Sequence, residues 1–275
     1  SKMSFFRGKC VVVTGSSNGI GRATAVMFAK AGAKIVITGR NAETLEETRQ
    51  LCMNAGAYPG GILSLIGDVT DEAFCEQLVE KSVEKFGQLD VLVNNAGATL
   101  FDLTGKKGIE QPIANYDKIM DTNVRSVLRI SQVAVPHLEK TKGAVVNVSS
   151  IAAFPFVTSD PYYTMSKAAL DQLTVQMAGT LIKKGIRVNS VNPGGVATNF
   201  AVTAGLPKEM VEEKFKEFFA DCEKMIPLGK IGEPDDIAKI IVFLADRTQS
   251  EIIVGQRIVA DGGSLLRNSL LSHDA

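Results

Sequence analysis

The chain has 275 residues, 45 % of them hydrophobic, and its 30 lysines and arginines are balanced by 30 aspartates and glutamates. Zero formal charge, with no basic block or acidic tail, argues against a nucleic-acid or membrane-surface protein, because phosphate binding needs clustered cations. Four scattered cysteines without a C-x-x-C, and only two histidines, His137 and His273, fit a reducing compartment and leave too few soft ligands for a protein-built zinc site, so no metal centre is expected.

Taken in chain order, short β-branched runs alternate with longer helical patterns. Strands are predicted at 10–14, 34–38, 62–66, 90–94, 144–149 and 187–191. Helices are predicted at 21–31, 42–54, 71–86, 116–140, 163–184 and 235–245. Several strands are continuously apolar, as in a parallel sheet covered on both faces, which predicts a doubly wound α/β fold. No linker, compositional break or repeat divides the chain, so one domain over 1–275 is expected. No apolar run approaches the ~18 residues of a membrane span and no secretory pattern opens the sequence, so a cytoplasmic location is expected. The stretch 199–226 falls outside the alternation and carries Phe200, Phe215, Phe218 and Phe219. It reads either as core or as a segment covering a substrate.

The first strand runs into Gly15-Ser16-Ser17-Asn18-Gly19-Ile20-Gly21 and then a helix. Glycines in a strand-to-helix turn bring backbone N–H groups close to a pyrophosphate, and the helix N-terminus adds partial positive charge. The spacing is G-x-x-x-G-x-G, longer than G-x-G-x-x-G. The same residues satisfy G-x-S-x-G, the nucleophile elbow of α/β-hydrolases, with Ser17 as nucleophile. Against that reading, His273 lies in a polar tail, and an elbow after the first strand has little sheet before it to build an oxyanion hole.

Tyr163 and Lys167 stand four apart, one helical turn on the same face. A free tyrosine ionises near pH ~10. A neighbouring cation lowers the pKa of such a phenol by roughly one to three, so Tyr163 is expected to exchange protons near neutrality.

With the glycine turn, Asn94-Asn95-Ala96-Gly97, Ser150 and Tyr163-x-x-x-Lys167 all in order, the chain resembles the short-chain dehydrogenase/reductase family from residue 8 to 263. The resemblance implies oxidoreduction between a carbonyl and an alcohol with a nicotinamide cofactor. It implies catalytic roles for Ser150, thirteen residues before the tyrosine, for Tyr163 and Lys167, and for Asn123, whose surroundings depart from many relatives in carrying Ser126 three residues on. It implies cofactor contacts from Gly15, Ser17, Asn18, Gly19, Ile20, Gly21, Asp68, Val69, Asn95, Ala96, Gly97, Tyr163, Lys167, Pro193, Gly194, Val196 and Thr198. A last strand is implied around Gly255-Gln256 and Asp261-Gly262-Gly263. A tetramer or dimer through the long helices is implied too.

Relatives that prefer NAD place an aspartate at the end of the second strand, where this chain has Gly39-Arg40. A guanidinium offers a charge-assisted fork to a 2′-phosphate, so Arg40 favours NADP(H) over NAD(H). The expected partner is a small-molecule carbonyl or alcohol, with neither nucleic acid nor membrane. An apolar ketone is favoured, with Phe154, Phe156 and the segment 200–225 read as cavity wall or, alternatively, as core. The alternatives are a sugar dehydrogenase of glucose type and a catalytically silent, redox-sensing nucleotide binder of the same fold.

Overall fold

The computed structural model describes residues 5–100, 106–154, 160–200, 209 and 226–268. Seven strands form one sheet: β1 (Cys10–Val13), β2 (Lys34–Gly39), β3 (Ile62–Ile66), β4 (Val91–Asn94), β5 (Ala144–Val148), β6 (Arg187–Pro193) and β7 (Arg257–Ala260). Their order is β3-β2-β1-β4-β5-β6-β7 and every pairing is parallel. The direction of winding reverses between β1 and β4, and in such sheets ligands bind outside the carboxyl ends of the strands at that point.

The apolar patterning matches this layout. β1, β4, β5 and β6 are buried at every position, whereas the edge strands β3 and β7 alternate in exposure. On one face Val11, Val13, Ile35 and Val93 pack against Phe28, Leu45, Ile237 and Ile241. On the other, Val12, Val36, Leu92 and Val145 pack against Leu78, Ile130, Leu138 and Met177. The covering helices are α1 (Gly19–Lys30), α2 (Ala42–Asn54), α3 (Glu72–Phe86), α4 (Ile113–Met120), α5 (Ser126–Thr141), α6 (Pro161–Leu181), α7 (Pro234–Ala245) and the short α8 (Arg247–Ser250).

Two elements differ from expectation. The single helix predicted at 116–140 is interrupted by a π-helical turn, Asp121–Arg125, between α4 and α5. The helix predicted at 163–184 begins at Pro161, where a proline costs no hydrogen bond, and Asp160 caps it by accepting from Tyr163 N. Most of 199–226 and Phe156 lie outside the described residues. Among the described residues no helix is long and apolar enough to cross a membrane.

Candidate active site

A cavity of about 560 Å³ opens along the carboxyl ends of the strands, across the β1/β4 reversal. All of the residues given a catalytic or cofactor role from sequence line it except Gly21 and Asn123. Those two lie behind its wall, buried.

At one end the glycine turn is held in place by β4. Asn95 Nδ2 donates to the carbonyls of Thr14 and Gly15, both at 2.9 Å, while Thr14 Oγ1 accepts from the N–H groups of Asn95 and Ala96. Gly21 is where α1 meets this clamp: a Cβ there would stand 2.3 Å from Gly15 O and 2.4 Å from Asn95 Nδ2. Its role is therefore to let helix and turn touch, behind the cleft. A further clamp had no local sequence signal. The Arg22 guanidinium donates to Ser17 O at 2.6 Å and to Thr44 O at 3.0 Å, and Thr48 Oγ1 donates to Ser16 O, tying the turn to α2. The N-cap of α1, Asn18, makes no side-chain capping bond, unlike Asn41 on α2 and Asp71 on α3. The first-turn N–H groups of α1 thus have no capping side chain to accept from them, as an anion site at a helix N-terminus requires.

Next along the cleft lie Gly39, Arg40 and Asp68. Ser17 Oγ is buried with no hydrogen-bond partner, and a Cβ on Gly39 would stand 2.0 Å from it. Arg40 is 72 % exposed and 3.8 Å from Asp68 Oδ2, while Asp68 Oδ1 accepts from Thr70 N and Oγ1. An orphaned buried hydroxyl beside an exposed guanidinium and an unclaimed helix N-terminus fits a phosphorylated nucleotide. The same hydroxyl has no base to activate it, which removes Ser17 as a hydrolase nucleophile.

At the other end stand Ser150, Tyr163 and Lys167. Ser150 follows β5, and its Oγ accepts from Ala152 N at 3.1 Å. Lys167 is 4 % exposed and donates from Nζ to Val148 O at 2.9 Å, with the Tyr163 ring centre 5.6 Å away. The expectation that the ammonium draws the phenol down is not met. Burial pushes the Tyr163 phenol up to about 12, outweighing the hydrogen bond from Ser150, with Asp160 adding to the rise. Although the ring keeps an open edge on the cleft, protein surrounds its hydroxyl closely enough for desolvation to dominate. Burial also brings Lys167 down to about 8, against the opposing pull of Asp171.

Asn123 sits in the π turn, fully buried. Its Oδ1 accepts from Ala98 N at 2.7 Å, and its Nδ2 donates to Ala98 O at 2.8 Å and to Ser166 Oγ at 2.9 Å. It thereby fixes the chain after Gly97, whose Cα faces both Lys167 Nζ and Asn123 Oδ1. Thr198 packs over Gly19 and closes the cleft from the β6 side. Phe200, which sequence reading placed in a stretch that is either core or cavity wall, lines the cleft with its ring centre 5.8 Å from that of Tyr163. Phe154 does not line it; its ring lies under the Arg257 guanidinium, 5.9 Å away.

Comparison with known proteins agrees with this geometry. A family model described as enoyl-(acyl carrier protein) reductase matches residues 15–264. The chain is 34 % identical to a 3-oxoacyl-(acyl-carrier-protein) reductase of Thermotoga maritima over 94 % of this chain and 98 % of that protein. A short-chain dehydrogenase/reductase of unknown function from Caenorhabditis elegans, solved with cofactor, superposes with a TM-score of 0.93 at 47 % identity, covering 98 % of this chain and 99 % of that one. A glucose dehydrogenase of the same organism, in the apo form, gives a TM-score of 0.81 at 45 % identity, covering 95 % and 99 %. The chain belongs to the short-chain dehydrogenase/reductase family, oxidoreductases that use a nicotinamide cofactor to interconvert CH–OH and C=O groups in small molecules.

Proposed function

We propose that this protein is an NADP(H)-dependent reductase of small, apolar carbonyl compounds with Tyr163 as its proton donor. The observation that carries the reading is the single cleft that joins the glycine turn and Arg40 to Ser150, Tyr163 and Lys167. Gly15, Asn18, Gly19 and Ile20 would hold the pyrophosphate, Asp68 and Val69 the adenine, Asn95, Ala96 and Gly97 the ribose, and Pro193, Gly194, Val196 and Thr198 the nicotinamide. A bound nicotinamide supplies the hydride in reduction and accepts it in oxidation.

This chain's own residues handle the oxygen. As hydride adds to the carbonyl carbon, the C=O electron pair moves onto oxygen, which takes the Tyr163 proton while Ser150 donates a hydrogen bond to it. Stabilising charge where it develops is usually the largest catalytic contribution. A phenol held near 12 stays protonated at neutral pH and so is ready to act as an acid. Lys167 keeps a cation beside the phenolate that proton transfer leaves. Alcohol oxidation reverses each role.

The NADP preference rests on Arg40 and on the space at Gly39. An aspartate there, the group that would repel a 2′-phosphate, would collide with Ser17. The apolar preference rests on Phe200 beside Tyr163, with 199–226 as the segment that covers the substrate. A sugar substrate is the second reading, favoured by the likeness to the glucose dehydrogenase.

The test follows NADPH absorbance across ketones, aldehydes, acyl thioesters and, in the oxidising direction, glucose. Turnover of an apolar ketone, at least tenfold reduced in Tyr163→Phe with NADPH binding kept, is expected. Glucose-dependent reduction of NADP instead would select the sugar reading. Tight NADPH binding with a flat trace throughout would leave a silent nucleotide binder.

A further inference from the structure

One carboxylate behind the catalytic lysine takes no part in this scheme. Asp171 lies one turn beyond Lys167 on α6 and is 3 % exposed. Asn192 Nδ2 donates to both of its oxygens, at 3.1 and 2.9 Å, and the Ser149 hydroxyl is also hydrogen-bonded to it. The same Asn192 amide donates to Ser150 O at 3.1 Å, and its Oδ1 accepts from Ser190 Oγ at 3.0 Å. Ser149 Oγ also stands 3.3 Å from Lys167 O, the alternative acceptor for its one proton. One side chain therefore joins the end of β5, which carries Ser150, the end of β6, which runs into Pro193-Gly194, and the helix that carries Tyr163 and Lys167.

A buried carboxylate is costly unless hydrogen-bonded and electrically compensated, and an apolar residue of similar size would fill the space at less cost. Compensation is present on two sides. Burial raises the Asp171 carboxyl above its ordinary value, while the bonds from Ser149 and Asn192 and the charges of Arg257 on β7 and Lys167 on α6 oppose that rise, and Asp171 is the charge that acts on Lys167. Among the described residues, the neutral groups around the pair are Ser149 from β5, Asn192 from β6, Asn123 from the π turn, and the Tyr163 phenol, which Asp160 helps to keep protonated.

We propose that Asp171 is a positioning residue that, as a carboxylate, holds the Asn192 amide against the Ser150 carbonyl and keeps the positive charge on Lys167. The proposal rests on the role given above to Lys167, and the titration that decides it does not require a substrate. Lys167 is titrated through its side-chain carbon resonance by NMR in the cofactor-free protein, in wild type, Asp171→Asn, Asp171→Glu and Asn192→Ala. Asp171→Asn is expected to lower the Lys167 midpoint by roughly one pH unit, the effect of losing a nearby opposite charge. Asp171→Glu restores it. Asn192→Ala leaves it in place but lowers kcat by about tenfold without raising the KM for NADPH, as loss of orientation alone does. With a substrate in hand, the alkaline limb of kcat moves with the Lys167 midpoint. A folded Asp171→Asn protein with an unchanged midpoint would overturn the proposal. Should that variant not fold, the wild-type carboxyl resonance decides: a protonated Asp171 at pH 7 overturns it equally. A wild-type protein that turns over no carbonyl would count against the reductase reading alone.

Discussion

Tyr163 and Lys167 stand one turn apart, and burial acts on them in opposite senses, raising the phenol to about 12 and lowering the ammonium to about 8. Proximity of the two was legible in the i, i+4 spacing; the balance of their ionisation was not, because desolvation depends on what surrounds them rather than on sequence distance. Around the nucleotide, two single-residue changes separate shape from charge. Arg40→Asp is expected to move the kcat/KM preference toward NADH by at least tenfold, and an unchanged ratio would remove Arg40 from the account. Gly21→Ala forces a methyl to within 2.3 Å of Gly15 O. Overpacking of this kind costs about 1–3 kcal/mol, so a lowered denaturation midpoint together with weaker NADPH binding is expected, measured by urea titration and by fluorescence.

Among the elements, the π turn at Asp121–Arg125 is the one that spacing could not reveal. A one-residue shift in hydrogen bonding leaves the apolar rhythm of 116–140 nearly intact, and such turns frequently sit at functional sites. Here it places Asn123 against Ala98 and Ser166. The strand β6 shows how one element serves two ends. Its Pro193 end lines the cleft, while at the other end Arg187, 1 % exposed, donates to the carbonyls of Ser250 and Ala245. Arg187→Met would take the guanidinium from Ala245 O, while Ser250 O keeps its bond from Ile253 N, and a buried acceptor left unpaired costs about 1–3 kcal/mol. The expected outcome is a lower unfolding free energy with NADPH affinity unchanged; loss of affinity in a folded variant would show that the two ends are coupled.

For the whole molecule, the depressed Lys167 pKa makes stability depend on pH. The unfolded chain binds this proton more tightly than the folded one, so between pH 8 and pH 10.5 stability rises with pH, by up to about 1.4 kcal/mol per pH unit from this group. Replacing Lys167 by Met removes that slope, and denaturant titrations of the cofactor-free protein at pH 8, 9 and 10 measure it. A wild-type slope equal to that of Lys167→Met would contradict the burial argument. Leu128, on α5, and Met165, on α6, are exposed apolar side chains on the helices through which an oligomer is proposed. Light scattering is expected to return a dimer or tetramer mass, and a monomer mass would overturn it.

The amino-acid order by itself determined the doubly wound sheet and the family, because both rest on local signals: continuously apolar strand runs, a glycine turn between strand and helix, and an i, i+4 pair after Ser150. It also named most of the residues that line the cleft. Only the tertiary structure decided how those residues act. That Phe200 faces Tyr163 while Phe154 turns to Arg257, that Ser17 faces Gly39, and that Asn192 links Asp171 to Ser150 are contacts between segments distant in the chain. No sequence period encodes them, since they arise where separate loops converge at the carboxyl edge of one sheet.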